Sequence, residues 1–272
     1  MDSVLCKLGP LTINWFGVLM AMGFVSGLTN WVILGKKRGR DVNYCSDLMV
    51  WIIIAGVIGA RTAYVVANWD LFRDAPLTVF RVDQGGLIFF GGFAAAGIAV
   101  LIFSRLRHEN LLGLFDFVIT SVPLAHAFGR IGCFMNGCCH GKLYDGPMSV
   151  TYPAKSLPWL YQTHEGLITR FAECSLPVHP VQLYEAAYNL AIFAVISVIY
   201  RKMSGRLGFT AGVYLLLYPA GRFAFEYLRG DERMTTGPVD YAQLVSMAFA
   251  ILGMFFIMQS KGMKNEIINQ SR

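Results

Sequence analysis

Three arginines lie inside apolar stretches of the sequence, each one or two residues after a glycine: Arg61, Arg130 and Arg222. An arginine at the centre of a membrane helix costs about 2.5–3.5 kcal/mol on insertion scales, and such residues usually serve a function. Two glutamates, Glu185 and Glu226, fall in similar stretches, and Glu226 lies four residues after Arg222, on the same helical face. Guanidinium groups bind phosphate through a planar pair of donors. These five residues therefore predict a polar pocket in which excess positive charge binds an anionic headgroup.

Each arginine, taken singly, has a plainer explanation. An arginine about six residues below a helix end, roughly 9 Å, can reach the membrane surface while its stem stays in lipid. It can also form a structural ion pair. Three arginines at one depth, with glycines beside them that let helices approach closely, favour the pocket.

Apolar stretches supply the elements that would position these residues. Hydrophobic residues make up 55% of the 272-residue chain and charged residues 15%, against about 25% in soluble domains. A bilayer core about 30 Å thick needs about 20 largely apolar residues per helix. The sequence thus predicts an all-α integral membrane protein with about seven transmembrane helices, at 11–34, 47–67, 86–104, 111–128, 182–200, 208–228 and 239–259.

Two of these stretches are interrupted, by Asp116 and His126 in 111–128 and by Glu185 in 182–200. Six spans with one re-entrant segment therefore remain an alternative. The first stretch is longer than the ~7–15-residue apolar core of a signal peptide, and we expect it to be a retained span.

Basic residues predict the orientation. Of the 23 Lys and Arg residues, 12 fall in four short segments: Lys36, Lys37, Arg38 and Arg40; Arg105 and Arg107; Arg201, Lys202 and Arg206; Lys261, Lys264 and Arg272. With seven spans all four segments face one side, which the positive-inside rule makes cytoplasmic, so that the N-terminus lies outside and the C-terminus inside. Topology thereby accounts for the net charge of +6, and no nucleic acid is needed to explain it.

One polar segment, about 131–180, separates the fourth and fifth spans. It is rich in Gly, Pro and Ser and contains several aromatic residues, among them Tyr152 and Trp159. Loops longer than about 15 residues are usually functional or disordered, and the aromatics favour a small packed head on the extracytoplasmic side. Because no repeat or linker divides the rest of the chain, we expect a single domain, 1–272.

The six cysteines suggest no clear disulfide pairing. Cys138, Cys139 and His140 stand together, but they lack the CxxC or HxxxH spacing of a zinc site. The sequence therefore predicts no metal.

Several motifs follow one another over most of the chain, and together they resemble the prolipoprotein diacylglyceryl transferase family. The run from Gly129 to Gly137 is similar to the family signature Gly-Arg-x-Gly-Asn-Phe-x-Asn-Gly-Glu. The other matching runs are Asn14-Trp15-Phe16-Gly17, Gly85-Gly86-Leu87-Ile88-Phe89-Phe90-Gly91-Gly92, His179-Pro180-Val181-Gln182-Leu183-Tyr184-Glu185 and Arg222-Phe223-Ala224-Phe225-Glu226-Tyr227-Leu228-Arg229.

The resemblance implies an activity and its partners. Members of this family move the diacylglyceryl group of phosphatidylglycerol onto the lipobox cysteine in the signal peptide of a prolipoprotein, forming a thioether and releasing glycerol phosphate. The expected location is the bacterial inner membrane, with the chemistry at its outer face. The expected partners are phosphatidylglycerol, the prolipoprotein and membrane lipid, with no cofactor.

The resemblance also implies roles for the charged residues in the spans. We expect Arg130 and Arg222 to be catalytic, binding phosphate and stabilising the leaving group as negative charge develops on it. Glu226 is expected to orient Arg222.

Five further residues are expected to contribute to substrate binding. Asn136 and Gly141 would shape the pocket, and Arg61 would add to the arginine cluster. His179 and Glu185 could supply a base, and packing at a helix N-terminus explains them equally well.

The sequence departs from the family pattern at four positions. Phe16 stands where the family has Tyr, Phe90 where it has His, Cys133 where it has Asn, and Cys138 where it has Glu. A divergent relative that binds phospholipid without transferring it is therefore an alternative. A small-solute transporter is disfavoured, because the chain lacks the repeats and paired broken helices of that class.

Overall fold

The computed structural model describes residues 4–9, 11–81, 85–203, 205–231, 235–236 and 239–270, and it is mostly helical. Its elements in chain order are β1 Val4–Leu8, β2 Leu11–Asn14, α1 Trp15–Lys36, α2 Val42–Ala67, two 3-10 turns (Trp69–Leu71 and Pro76–Phe80), α3 Phe89–Leu106, α4 Leu111–Ile119, α5 Val122–Asn136, α6 Leu157–His164, α7 Val181–Lys202, α8 Phe209–Glu226, β3 Thr235–Thr236, β4 Val239–Asp240 and α9 Tyr241–Gln270.

Six helical segments of the described chain are long and apolar enough to cross a membrane: Trp15–Lys36, Val42–Ala67, Phe89–Leu106, Leu111–Asn136, Val181–Lys202 and Gln243–Ser260. The expectation of a helical multi-pass membrane protein is confirmed at this level. The predicted span at 208–228 forms α8, which is 18 residues long but is less apolar than the six. The charged residues Arg222 and Glu226, together with Pro219, lower its hydropathy, and the count of seven stays a prediction.

The first and fourth spans differ from those expected in where the helix begins or ends. Residues 11–14, assigned to the first span, form β2, which pairs antiparallel with β1 so that α1 begins only at Trp15. The fourth span continues through Asn136 instead of ending at 128, so residues 131–136 belong to a helix and not to the head. Gly137 ends this helix with φ of 75°, a left-handed conformation that glycine adopts without a steric penalty.

The chain forms two compact units, residues 30–115 and residues 1–29 with 116–272; the expected single domain stays a prediction. In the first unit, α2 and α3 pack through small residues. A Cβ on Gly59 would lie 2.5 Å from the carbonyl oxygen of Gly91, and a Cβ on Gly92 would lie 2.8 Å from that of Gly56. No side chain fits at Gly59 or Gly92, so these positions require glycine. The glycines let the backbones of α2 and α3 come into direct contact.

In the second unit, α7 packs against α5 and α8, and α8 packs against α9. Ile192, Ile196 and Tyr214 form the apolar centre of the α7–α8 contact. Asp116 explains one interruption of the predicted fourth span, because its two oxygens accept hydrogen bonds from the backbone N–H groups of Gly208 at 2.7 Å and Ala211 at 2.8 Å. A carboxylate at a helix N-terminus satisfies orphan donors and the helix dipole.

The segment between α5 and α7 is folded. Tyr152 is buried, and the indole nitrogen of Trp159 donates to the carbonyl of Ala172 at 2.8 Å. Gln162 accepts from the N–H of Leu176 at 2.7 Å. The side of the membrane on which this segment lies stays a prediction.

Candidate functional site

Glu185 lies between two of the predicted arginines. Its Oε2 is 2.6 Å from Nε of Arg130, and its Oε1 is 3.3 Å from Nη1 of Arg222. The three residues come from α7, α5 and α8, so one carboxylate joins three helices. All three side chains are largely buried, with 5%, 13% and 17% of their surface exposed for Glu185, Arg130 and Arg222.

Two further groups complete this arginine cluster. Glu226 Oε2 is 2.7 Å from Nη1 of Arg222, in the i,i+4 arrangement that the sequence predicted. The other group is His126, whose Nε2 accepts a hydrogen bond from Nε of Arg130 at 3.2 Å. Because it accepts this bond, Nε2 of His126 carries no proton. With His126 neutral, two arginines face two glutamates, and the cluster has no positive charge to spare.

A cavity of about 10 Å³ lies at the centre of the cluster. Besides the residues above, it is lined by Tyr188, Asn189, Tyr218 and Phe225. A volume of this size holds about one water molecule, and a phosphate group is several times larger. The Oδ1 atom of Asn189 has no hydrogen-bond partner among the described residues, which leaves an acceptor facing this space. Binding of a headgroup therefore requires side chains to move apart.

Arg61 belongs to the other unit, and backbone oxygens occupy its guanidinium. Nε donates to Val79 at 2.7 Å and Nη2 to Thr78 at 2.9 Å, while Nη1 donates to Gly85 at 2.8 Å and to Gly86 at 3.1 Å. These bonds hold the loop before α3, which contains the Gly85-Gly86 pair of the family motif. Its expected role in substrate binding stays a prediction, and its visible contacts are structural.

His179 and Gly141 form a packed contact of their own. The His179 ring stacks on Tyr144, with centroids 3.9 Å apart and an interplanar angle of 10°. Gly141 donates its N–H to the carbonyl of His179 at 3.0 Å, and a Cβ on Gly141 would lie 2.5 Å from the His179 Cβ. His179 does not line the cavity between Arg130 and Arg222, so the packing explanation fits it better than the role of base.

The segment after α5 is tied to the segment after α8. Lys142 N donates to the carbonyl of Leu228 at 2.8 Å, and Gly230 N donates to the carbonyl of His140 at 3.0 Å. These two segments border a second cavity, of about 320 Å³, lined by His140, Gly141, Lys142, Leu143, Tyr161, Gln162, Leu167, Val178 and Gly230. Its volume is in the range of ligand-binding pockets, roughly 300–1,000 Å³.

Three cysteines meet at the C-terminal end of α5. The Sγ atoms of Cys133, Cys138 and Cys139 all lie within 4.8 Å of one another, and Asn136, the last residue of α5, stands between them in the sequence. Hydrogen bonds from the Cys133 and Cys138 thiols hold the pKa of Cys139 well below its usual range. Next to them, burial raises the pKa of Tyr152 to about 12.

Sequence reasoning found four members of the arginine cluster and missed the rest. The signal for His126 and Asn189 was present, since His126 precedes Arg130 by four residues and Asn189 follows Glu185 by four, which places each pair on one helical face. For the cysteines, the sequence grouped Cys138 and Cys139 with His140. The structure groups them with Cys133.

Comparison with known proteins identifies similar sequences. A sequence model of the family described as prolipoprotein diacylglyceryl transferase matches residues 3–259. The phosphatidylglycerol–prolipoprotein diacylglyceryl transferase of Clostridioides difficile is 33% identical over 268 residues, which cover 98% of this chain and 99% of the relative. The enzyme of the same name from Trichormus variabilis is 32% identical over 256 residues, covering 92% of this chain and 86% of the relative. A Clostridium perfringens protein named phosphatidylglycerol–prolipoprotein diacylglyceryl transferase 2 is 26% identical over 266 residues, covering 97% and 98%.

Proposed function

Because the chain belongs to the prolipoprotein diacylglyceryl transferase family, we propose that it transfers the diacylglyceryl group of phosphatidylglycerol to the lipobox cysteine of a prolipoprotein. One structural observation supports this proposal most directly: Arg130 and Arg222 both form an ion pair with Glu185. Two buried guanidiniums from different helices, held by one carboxylate, form a site that a phosphate can enter by taking the place of that carboxylate.

The sulfur of the lipobox cysteine bonds to the glyceryl carbon, and the bond from that carbon to the phosphate oxygen breaks. The S–H bond of the thiol also breaks, and its proton passes to solvent. Glycerol phosphate leaves with the electron pair of the broken C–O bond. Fixed donors that face the developing negative charge lower the barrier to such a step. Arg130 and Arg222 are the groups we assign to this task, and Glu226 holds Arg222 in place.

Substrate binding must open the cluster, because its cavity of about 10 Å³ holds no phosphate. Glu185 is the group whose release exposes both arginines at once. In this account Glu185 is a displaceable counterion rather than a base, and a phosphate restores the charge balance when it arrives. The unpaired Oδ1 of Asn189 is available to a hydroxyl of the glycerol headgroup.

The prolipoprotein needs a separate space, and the cavity of about 320 Å³ beside Gly141 provides one of suitable size. Backbone groups of the segments after α5 and α8 line it, and an extended peptide binds such segments through main-chain hydrogen bonds. Gly141 allows close approach there. Asn136 is the last residue of α5, and the segment that carries Gly141 follows it directly.

The topology that fits this function has seven spans, with α8 as the sixth. Glu226 and Arg222 are paired inside the protein, which lowers the cost of placing charges in the membrane. The four basic segments then face the cytoplasm, and the head between α5 and α7 faces outward. The location that follows is the bacterial inner membrane, with the N-terminus outside and the C-terminus inside.

Transfer of radiolabel from phosphatidylglycerol to a synthetic lipobox peptide tests the proposal. Purified protein should label the peptide through a bond that survives thioester-cleaving reagents. Arg170→Lys in the exposed part of the head serves as the control for Arg130→Lys, because it makes the same chemical change outside the cluster.

The alternative is a relative that binds phosphatidylglycerol without transferring it. Its support is Phe16, which packs against Gly132 within 2.9 Å of a Cβ built there and so places an apolar ring, not a hydroxyl, beside α5. Bound phosphatidylglycerol with no labelled peptide at any pH between 6 and 9 would establish that alternative and overturn transfer.

A further inference from the structure

We propose that Cys133, Cys138 and Cys139 form a binding site for a thiophilic divalent cation, Zn²⁺ first of all, with its fourth coordination position open. The three Sγ atoms lie within 4.8 Å of one another. A tetrahedral zinc ion with Zn–S bonds of about 2.3 Å separates its sulfurs by about 3.8 Å. Side-chain adjustments of less than about 1 Å therefore convert the observed cluster into a coordination sphere.

The backbone brings these sulfurs together in an unusual way. Adjacent residues of an extended chain point their side chains to opposite sides, yet Cys138 and Cys139 share one cluster. Cys139 has φ of 59° and Gly137 has φ of 75°, so the chain coils back towards the last turn of α5, where Cys133 lies. A left-handed conformation outside glycine is costly and persists where the surroundings hold it, often at ligand sites.

Neighbouring groups fix the cluster in place. Gln182 of α7 donates to the carbonyl of Cys138 at 2.7 Å and to the hydroxyl of Tyr152 at 3.2 Å. The Cys138 thiol itself lies 3.7 Å from the carbonyl of Cys133. Hydrogen bonds of this kind around a metal site orient the ligands and raise affinity.

The donor set selects the cation. Three thiolates favour Zn²⁺ or another soft ion over Mg²⁺ or Ca²⁺. Among the residues that the structure describes, no His, Asp or Glu joins the three cysteines, and Nδ1 of His140 lies instead 3.1 Å from the carbonyl of Gly141. Three protein ligands with a free position are typical of catalytic zinc rather than structural zinc. Zinc with three thiolates carries one negative charge, and Arg130 and Arg229 lie close enough to act electrostatically on Cys139.

The open position suggests a ligand, and this step rests on the proposed function. The acceptor in that reaction is a thiol, and a thiol that coordinates a metal loses its proton. Its proton passes to solvent, its sulfur stays a nucleophile, and no other reactant is required. Cys133 and Cys138 stand where the family has Asn and Glu, so a metal-held thiolate would replace polar groups that this chain has lost at these two positions.

The test measures metal first and activity second. The full-length chain, purified in detergent under reducing conditions with a stoichiometric supply of Zn²⁺ and then desalted, should retain about one Zn²⁺ per chain by mass spectrometry of the metal. Cobalt in place of zinc should give sulfur-to-cobalt charge-transfer absorption and the strong visible bands of a tetrahedral ion. Each of Cys133→Ser, Cys138→Ser and Cys139→Ser should weaken zinc binding by roughly 100-fold or more.

Two controls make the result decisive. Cys174→Ser removes an exposed cysteine of the head and should leave zinc binding unchanged. Circular dichroism and gel filtration check that each variant is folded, and Cys138→Ala offers a second variant without a hydroxyl. Wild-type protein that retains no zinc, or cysteine variants that keep full affinity, would each overturn the site.

The two proposals fail separately. Zinc binding without transfer to the peptide would leave the site standing and contradict the proposed function. Transfer at full rate by zinc-free protein would support the proposed transferase function. It would also show that the metal does not bind the thiol of the peptide during the reaction. Peptide thiol binding to the cobalt form should shift the charge-transfer band, and a peptide with Ser in place of the lipobox cysteine should not.

Discussion

Nε of Arg130 lies 2.6 Å from Oε2 of Glu185, and this ion pair joins α5 to α7 at the point where Arg222 of α8 also arrives. Buried pairs of this kind cost much when one partner is removed, because the other charge is left without compensation.

Arg130→Lys keeps the charge and loses the planar fork of donors. A hydrogen bond to a charged group contributes about 1.5–3 kcal/mol, so we expect transfer to fall by about 10- to 100-fold. The melting temperature should change little, since the lysine can still pair with Glu185. Turnover near that of the wild type, with Arg170→Lys as reference, would mean that charge alone suffices at this position.

Glu185→Gln leaves two buried arginines with one glutamate between them. In the absence of phospholipid we expect the free energy of unfolding to fall by about 3–5 kcal/mol, because a buried charge loses its partner. Phosphatidylglycerol should restore much of the loss by supplying a phosphate. Thermal unfolding with and without this lipid measures both effects, and Glu165→Gln at an exposed position is the control. A Glu185→Gln protein that the lipid stabilises no more than the wild type would contradict the displaceable-counterion account.

Gly86→Ala should destabilise the loop that Arg61 holds. Gly86 has φ of 74°, and a Cβ there would lie 2.6 Å from the Tyr64 ring and 2.8 Å from Nη1 of Arg61. Gly97→Ala is the matched control, because a Cβ at Gly97 meets nothing within 4 Å and alanine favours a helix by up to about 1 kcal/mol. Melting temperatures should fall for the first variant and hold or rise for the second. The reverse order would show that this loop does not need glycine.

The orientation can be read from accessible reporter cysteines. Phe171 in the head is 95% exposed, and Lys37 follows α1 on the predicted cytoplasmic side. In intact cells whose outer barrier has been opened, a membrane-impermeant maleimide should label Phe171→Cys at once and Lys37→Cys only after the inner membrane is permeabilised. The background lacks the exposed Cys6 and Cys174. Labelling in the opposite order would place the arginine cluster at the wrong face.

The sequence predicted the arginine cluster better than the ends of the helices. Arg222 and Glu226 could be paired from their spacing, and the predicted spans placed Arg130 and Glu185 at the same level. The end of α5 could not be read from hydropathy, because polarity rises at Gly129 while the helix continues on its own backbone hydrogen bonds to Asn136. Gly137, the first residue with positive φ in that run, is what ends it.

Other features had no local signal. Strand β2 occupies residues 11–14, which hydropathy alone assigns to the first span. The grouping of Cys133 with Cys138 and Cys139 depends on a left-handed residue at position 139, which no spacing rule anticipates. The net charge of the arginine cluster depends on which side chains pair with each other. From the sequence, only the number of charged residues is known.

Asp116 has a consequence for how the chain enters the membrane. It accepts hydrogen bonds from the N–H groups of Gly208, just before α8, and of Ala211, in its first turn. On the proposed seven-span topology α8 is the least apolar span. A weakly apolar segment inserts inefficiently from the translocon, so the insertion of α8 must depend on helices that were synthesised earlier. The chain then has to keep α4 within reach until α8 has been synthesised. Asp116→Ala should increase the fraction of chains in which a glycosylation tag shows α8 left out of the membrane. Biogenesis of this protein would thus be ordered by a carboxylate that takes no part in its chemistry.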